Sequence, residues 1–235
     1  MTTRRTIGVL GGMGPAATVD FLGKIVRATP ALRDQDHLPV ILRQAPQIPD
    51  RASAILSGSD APFAPMLAAL RGLEEAGADV LAIPCNTAHY WHGRLARACR
   101  TPMLHFVQAV ERRLPRRGER FGLMATRGTI AAGVYPERFE DGRRILPPSD
   151  DLQVLVDEAI AGVKAGHPQA LVARKAEAAA AMFLGEGVAA IILACTELPI
   201  ALASSSLMSV SIDSTQALAE ACVEAALTPG ALAPQ

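Results

Sequence analysis

Two stretches of this chain run from glycine to cysteine in the same number of steps. The first is Gly77-Ala78-Asp79-Val80-Leu81-Ala82-Ile83-Pro84-Cys85, and the second is Gly187-Val188-Ala189-Ala190-Ile191-Ile192-Leu193-Ala194-Cys195. Each follows a helix-like segment, and each cysteine is followed by polar residues, Asn86-Thr87 in one case and Thr196-Glu197 in the other. A short apolar run bounded by turn signals reads as a buried parallel strand. The C-terminal end of such a strand is where open α/β sheets bind ligands. The pattern therefore puts one thiol at the ligand-binding edge of each of two related sheets. Two thiols facing each other across a cleft suit a chemistry that needs a base on each side of one carbon.

A second pair of segments supports an internal duplication. Ile7-Gly8-Val9-Leu10-Gly11-Gly12-Met13-Gly14 aligns without gaps on Phe121-Gly122-Leu123-Met124-Ala125-Thr126-Arg127-Gly128, with glycines matched at 8/122 and 14/128. The shift is 114 residues here and 110 at the cysteine runs. A nearly constant shift points to two copies of one unit rather than two chance similarities.

The remaining pattern alternates strand and helix. Strands are expected at 6–10, 39–43, 79–84, 103–106, 120–125, 143–146, 188–194 and 208–212. Helices are expected at 15–29, 61–77, 88–99, 130–141, 151–165, 168–186 and 214–227. Alternating β and α implies parallel sheets with right-handed crossovers, and four strands fall to each half. The expected joint is near Thr101-Pro102. Residues 1–101 with 213–235 would form one lobe, carrying Cys85, and 102–212 the other, carrying Cys195. The helix after 213 would return to the first lobe, leaving Thr228 to Gln235 as a frayed tail.

Composition narrows the function classes. The 235 residues carry 23 basic and 23 acidic side chains, so net charge is zero, and no basic stripe stands out. Nucleic acid is not the expected partner. No apolar run reaches the roughly 20 residues that span a bilayer. The N-terminus lacks the apolar core of a signal peptide, so a cytoplasmic location without membrane contact is expected. The four cysteines are then expected as reduced thiols. Cys99 and Cys222 lie in alanine-rich helical patterns and read as small buried hydrophobes.

The turns carry weaker signals. Gly11-Gly12-Met13-Gly14-Pro15 follows a strand and opens a helix, a place where backbone amides can meet an anion. It lacks the G-x-G-x-x-G spacing, and no G-x-x-x-x-G-K-[ST] occurs, so neither a dinucleotide nor a nucleoside triphosphate is implied. In the second half the hydroxyls of Thr126 and Thr129 could hold a carboxylate, or Thr129 could serve as a helix cap. Cys85 and His89 have C-x-x-x-H spacing, but no second clustered pair completes a four-ligand set, and no metal is expected.

Five motifs in order now resemble one family. Gly11-Gly12-Met13-Gly14-Pro15, Pro84-Cys85-Asn86-Thr87-Ala88-His89 and Ala194-Cys195-Thr196-Glu197 are similar to the cofactor-independent aspartate/glutamate racemases. Pro46-Gln47-Ile48-Pro49-Asp50-Arg51 and Gly162-Val163-Lys164-Ala165-Gly166 resemble the aspartate racemase branch. The resemblance implies two Rossmann-like α/β lobes related by a pseudo-twofold, each with a mainly parallel four-stranded sheet, with the active site between them. It also implies a homodimer, no cofactor, and an acidic amino acid as substrate, aspartate before glutamate.

It assigns the two bases to Cys85 and Cys195, with Asp50 and Glu197 assisting the thiols. Met13, Asn86, Thr87, Thr126 and Thr196 would contact the substrate, the last four at its α-amino or α-carboxylate group. Arg51 and Lys164 would hold the distal carboxylate. A thiol suits the task because its free pKa of about 8.5 can be lowered at a helix N-terminus, and both cysteines precede helical patterns. One departure is Arg127, which fills the Thr-x-Gly-Thr turn where a smaller residue would crowd the cleft less. It either points outward or alters α-carboxylate binding.

Competing readings remain at this level. Hydantoin racemase and maleate isomerase belong to the wider superfamily. Arylmalonate decarboxylase does too, but a single cysteine is expected there. A non-catalytic small-molecule binding module would instead carry four inert thiols.

Overall fold

The computed structural model describes residues 4–115 and 119–228. The first half contains β1 (Ile7–Gly11), α1 (Pro15–Ala28), β2 (Val40–Gln44), α2 (Arg51–Leu56), α3 (Phe63–Glu75) and β3 (Val80–Ala82), followed by α4 (His92–Ala98) and α5 (Phe106–Glu111). The second contains β4 (Arg120–Ala125), α6 (Arg127–Ala131), β5 (Arg144–Leu146), α7 (Asp150–Lys164), α8 (Gln169–Gly185), β6 (Ala190–Ala194), α9 (Leu198–Ala201) and β7 (Ser211–Asp213). α10 (Ser214–Leu227) closes the described chain.

The strands form two parallel sheets, in the order β2-β1-β3 and β5-β4-β6-β7. The orders correspond, and so does the register. Ile7 pairs with Val80 in the first sheet, and Phe121 pairs with Ala190 in the second. Those partners are related by the same shifts of 114 and 110 that align the two sequence segments.

The matched glycines have a steric cause. A Cβ on Gly8 would stand 2.6 Å from Ala78 Cβ and 3.4 Å from Leu73 Cβ, and one on Gly122 would stand 2.6 Å from the Phe183 ring. Leu73 and Phe183 are equivalent residues of α3 and α8, the helices that precede the two cysteine strands. In both halves a missing side chain lets that helix press onto the central strand.

Several expected elements differ. The strand at 103–106 is reduced to one bridge, Leu81 to Met103, and the first sheet has three strands where four were expected. Leu81 N–H donates to Pro102 O and Leu104 N–H to Leu81 O. The chain then turns into α5 at Phe106, whose ring is buried in the core. The helix expected over 130–141 ends at Ala131, because Gly133 takes φ +58° and Pro136 follows. The helix expected over 88–99 begins as a 3₁₀ turn, Thr87–Trp91, before α4. α2 and α9 were not foreseen. Of the tail expected at 228–235, residues 229–235 lie outside the described residues.

α10 packs against α1 and α5 and touches β3, β6 and β7. Its Leu218 and Val223 share one core with Ile7 and Val9 of β1 and Phe121 and Leu123 of β4. A buried lysine ties it further. Lys24 Nζ of α1 lies 2.5 Å from Asp20 and 2.6 Å from Asp213. Asp213 also caps α10 by accepting the N–H of Gln216. Two carboxylates around one buried ammonium satisfy a charge that would otherwise be costly to bury. No described helix is long and apolar enough to cross a membrane.

Candidate active site

The C-terminal ends of the central strands meet at a narrow cavity of about 20 Å³. Its walls are Met13 after β1, Cys85 to Thr87 after β3, Thr126 after β4, Cys195 to Glu197 after β6, the start of α2 (Asp50, Arg51, Ala52) and Lys164 at the end of α7. Every residue to which the family resemblance gave a role therefore borders one space, while Thr129 does not. Ala52 is the addition. The volume suits about one ordered water. A wider chamber of about 570 Å³ adjoins it and shares Asp50, Arg51, Lys164 and Glu197 with it.

Two glycines bring the halves together here. A Cβ on Gly14 would stand 3.1 Å from Glu197 Oε1, and one on Gly128 would stand 2.5 Å from the Ala52 Cα. These are the pair matched in the internal repeat, and each lets the opposite half approach. The loop before Gly14 is closed on itself. Gly12 has φ +93°, and its N–H donates to Thr18 Oγ1 at 2.8 Å. That amide is not free for an anion.

Cys85 and Cys195 are each 6 % exposed, and both are free thiols. Cys195 Sγ donates to Glu197 Oε2 at 3.0 Å, and Thr196 Oγ1 donates to the same oxygen at 3.2 Å. Burial pushes the Cys195 thiol well up, and the Glu197 carboxylate adds to the rise. This reverses the lowering expected from a helix N-terminus. The helix after Cys195 is one turn, starting three residues later, and a carboxylate lies between. After Cys85 the chain makes the 3₁₀ turn, and His89 Nδ1 lies 2.9 Å from the Cys85 carbonyl oxygen.

His89 does not line the cavity. It packs on His92 and His105, with ring centroids 5.3 and 5.4 Å away. Among the described residues no group of three His, Cys, Asp or Glu side chains could hold a metal ion.

Three threonine hydroxyls form a cluster, of which Thr87 and Thr126 line the cavity and Thr129 lies behind them. Thr87 Oγ1 lies 3.0 Å from Thr126 Oγ1 and 2.8 Å from Thr129 Oγ1. Thr126 also caps α6 by accepting the Thr129 N–H. Thr129 is therefore not the cap itself but part of the hydroxyl cluster. Arg127 turns away, its Nε donating to Asp157 Oδ2 on α7 at 2.6 Å. It does not crowd the cavity.

The cations differ in setting. Arg51 is 9 % exposed, and its Nη1 donates to the carbonyls of Ile48 and Pro49. Its Nε is buried without a hydrogen bond, and among the described residues no carboxylate pairs with it. Lys164 is exposed. Asp50 caps α2, accepting the Ser53 N–H at 2.8 Å. Burial works to raise its carboxyl, but the Ser53 hydrogen bonds and then the Arg51 and Lys164 charges prevail and lower it. Among the described residues no hydrogen bond joins Asp50 to either thiol.

Asn86 brought in two partners with no sequence signal. Tyr135 O–H donates to its Oδ1 at 2.6 Å, and its Nδ2 donates to Ser214 Oγ at 3.1 Å. Ser214 could have been noticed only as the first residue after a helix-capping aspartate.

Fold and site together define a two-lobed α/β protein with one strand-end thiol from each sheet on a shared cavity. Residues 10–222 match the Asp/Glu/Hydantoin racemase family, and the chain belongs to it. It is 30% identical to the aspartate racemase of Picrophilus torridus, with 94% of each chain covered at a TM-score of 0.83. An aspartate racemase homologue from Pyrococcus horikoshii OT3, 22% identical, shares the fold over 94% of this chain and 99% of that one, at a TM-score of 0.72. The broad specificity amino-acid racemase RacX of Bacillus subtilis (strain 168) is 29% identical over 173 residues, 70% of this chain and 75% of that protein.

Proposed function

We propose that this protein racemises an acidic amino acid, aspartate in the first place, by two-base proton transfer between Cys85 and Cys195 without a cofactor. The observation that carries this reading is that the thiols arrive from different sheets and border the same cavity. In each turnover one cysteine, as thiolate, takes the Cα proton. The other, as thiol, returns its own proton to the opposite face. The two cysteines then hold exchanged protonation states, ready for the other enantiomer.

Cys195 is held as a thiol by burial and by Glu197. It is the proton donor in the direction where Cys85 is the base. In the reverse direction Cys195, left as thiolate by the forward turnover, is the base, and Cys85 returns the proton it gained. The Glu197 carboxylate, hydrogen-bonded to Cys195, favours the uptake of that proton on sulfur. The Cα proton is very weakly acidic, so the carbanion must be stabilised by fixed donors. Asn86, Thr87 and Thr126 are the neutral donors on the wall, and Arg51 is the buried cation.

A buried guanidinium that among the described residues forms no ion pair with a carboxylate favours an acidic substrate, because a distal carboxylate would complete it. Lys164, exposed at the mouth, adds a second positive charge. A broader amino-acid range is the second reading. It is favoured by the wide outer chamber and by the name of the Bacillus relative. The exposed Val40 and Leu42 of edge strand β2 support the reading of a homodimer, since an open apolar edge is commonly covered.

The test is incubation of reduced protein with single enantiomers of aspartate, glutamate, alanine and serine, with no added cofactor. Loss of optical purity with aspartate, and much less with alanine, supports the acidic reading. Comparable rates across the panel support the broad one. No racemisation of any member contradicts both.

A further inference from the structure

The Asn86 side chain is held at both of its polar atoms by a buried hydrogen-bond chain. Leu193 O can only accept, so Ser214 Oγ donates its proton there, at 2.6 Å. Ser214 Oγ must then accept from Asn86, and the Asn86 atom 3.1 Å away is Nδ2. On the other side the Tyr135 hydroxyl, 2.6 Å from Asn86 Oδ1, donates to it. The Ser214 link has one direction, and the Tyr135 hydroxyl complements it by donating. An Asn86 amide turned over would set its oxygen against the Ser214 lone pairs, and the Tyr135 hydroxyl would have to change from donating to accepting.

All members are buried. Asn86 is 2 % exposed, Tyr135 is buried, and Ser214 is fully covered at the start of α10. Misdirected polar groups there would go unsatisfied and would be costly. The second N–H of Nδ2 takes part in no hydrogen bond among the described residues, and Asn86 borders the cavity. The chain also reaches the other thiol, because Leu193 lies in β6 two residues before Cys195. It therefore joins the residue after Cys85 to the strand that ends at Cys195.

We infer that Tyr135 and Ser214 are positioning residues that lock the Asn86 amide with an N–H toward the cavity, as a donor to the substrate carboxylate. This rests on the racemase reading of the site. As the Cα proton leaves, negative charge builds on the α-carboxylate oxygens. A fixed donor then matters more in the transition state than in the ground state.

The test combines a kinetic cycle with a measurement that does not need turnover. Tyr135→Phe keeps the ring and removes only the donor. It is expected to lower kcat for aspartate about ten- to a hundredfold, with a smaller change in KM. In an Asn86→Ala background, Tyr135→Phe is expected to cost less than about twofold more, because the group it positions is gone. Equal losses in both backgrounds would show a merely structural role and overturn the inference.

Independently, the side-chain amide protons of Asn86 are followed by NMR, their signals assigned by loss in Asn86→Asp. Slow exchange with solvent in the wild type, and faster exchange in Tyr135→Phe and Ser214→Ala, are expected. Unchanged exchange in both variants would overturn the positioning role. If no amino acid is racemised, the racemase reading fails, while the exchange experiment still decides whether Asn86 is locked.

Discussion

The thiol of Cys195 donates to Glu197 Oε2 across 3.0 Å, and the two side chains are 6 % and 3 % exposed. A buried carboxylate beside a buried thiol keeps the proton on sulfur. Burial is the larger cause and the Glu197 charge the next. Glu197→Gln removes the charge and leaves the burial. The pH at which Cys195 becomes reactive should therefore move down. Alkylation of Cys195 by iodoacetamide across a pH series, read by peptide mass spectrometry, checks this. Faster labelling of the variant near neutral pH is expected, together with lower racemase activity. An unchanged labelling profile would mean that Glu197 does not control this thiol.

In the proposed reading Arg51 governs substrate class. A distal carboxylate on its guanidinium would form charge-assisted hydrogen bonds, each worth about 1.5–3 kcal/mol. Arg51→Ala should lower kcat/KM for aspartate roughly tenfold to a hundredfold. Lys164→Ala should do less, because its charge is exposed to water and screened. Turnover of a short neutral amino acid by the same variant is the control, since loss of folded protein affects both substrates alike. Equal proportional losses would remove the distal-carboxylate role.

The three clustered imidazoles under the Cys85 turn make stability sensitive to acid. Burial lowers all three. For His89 the neighbouring His92 and His105 add to the effect, and His105, helped by His92, falls to about 4. Groups neutral in the fold but protonated when unfolded stabilise the fold fully only above their unfolded pKa, here 6.5. That stability is lost as pH falls from there toward about 4. The melting temperature should drop between about pH 7 and about pH 5. His105→Phe, which cannot titrate, should show a smaller drop. The same drop in the variant would assign the acid sensitivity elsewhere.

What the sequence made legible follows from locality. Buried parallel strands write themselves as apolar runs, so the two cysteine ends could be matched before any fold was known. The shifts of 114 and 110 reappear as strand register because Gly8 and Gly122 answer the same steric demand. Capping and breaking signals are local too. Asp50 with Ser53 announced α2, and Gly133 with Pro136 forbade a helix to 141.

The direction of the Cys195 shift was not legible, because strand and helix patterns give no measure of burial or of a carboxylate's distance. Tyr135 and Ser214 were invisible for a similar reason. They lie 49 and 128 positions from Asn86, and only the packing of α10 and the turn after α6 brings them to it.

The two-base exchange is tested most directly by racemisation in deuterium oxide with wild type, Cys85→Ser and Cys195→Ser. Starting from one enantiomer of aspartate, early wild-type product should carry deuterium at Cα, while the remaining substrate keeps its proton. Each serine variant should lose racemisation in both directions, because every turnover uses both thiols. Exchange of the α-proton without inversion, confined to a different enantiomer in each variant, would fit one surviving base. Near wild-type racemisation by either variant would contradict the two-base assignment.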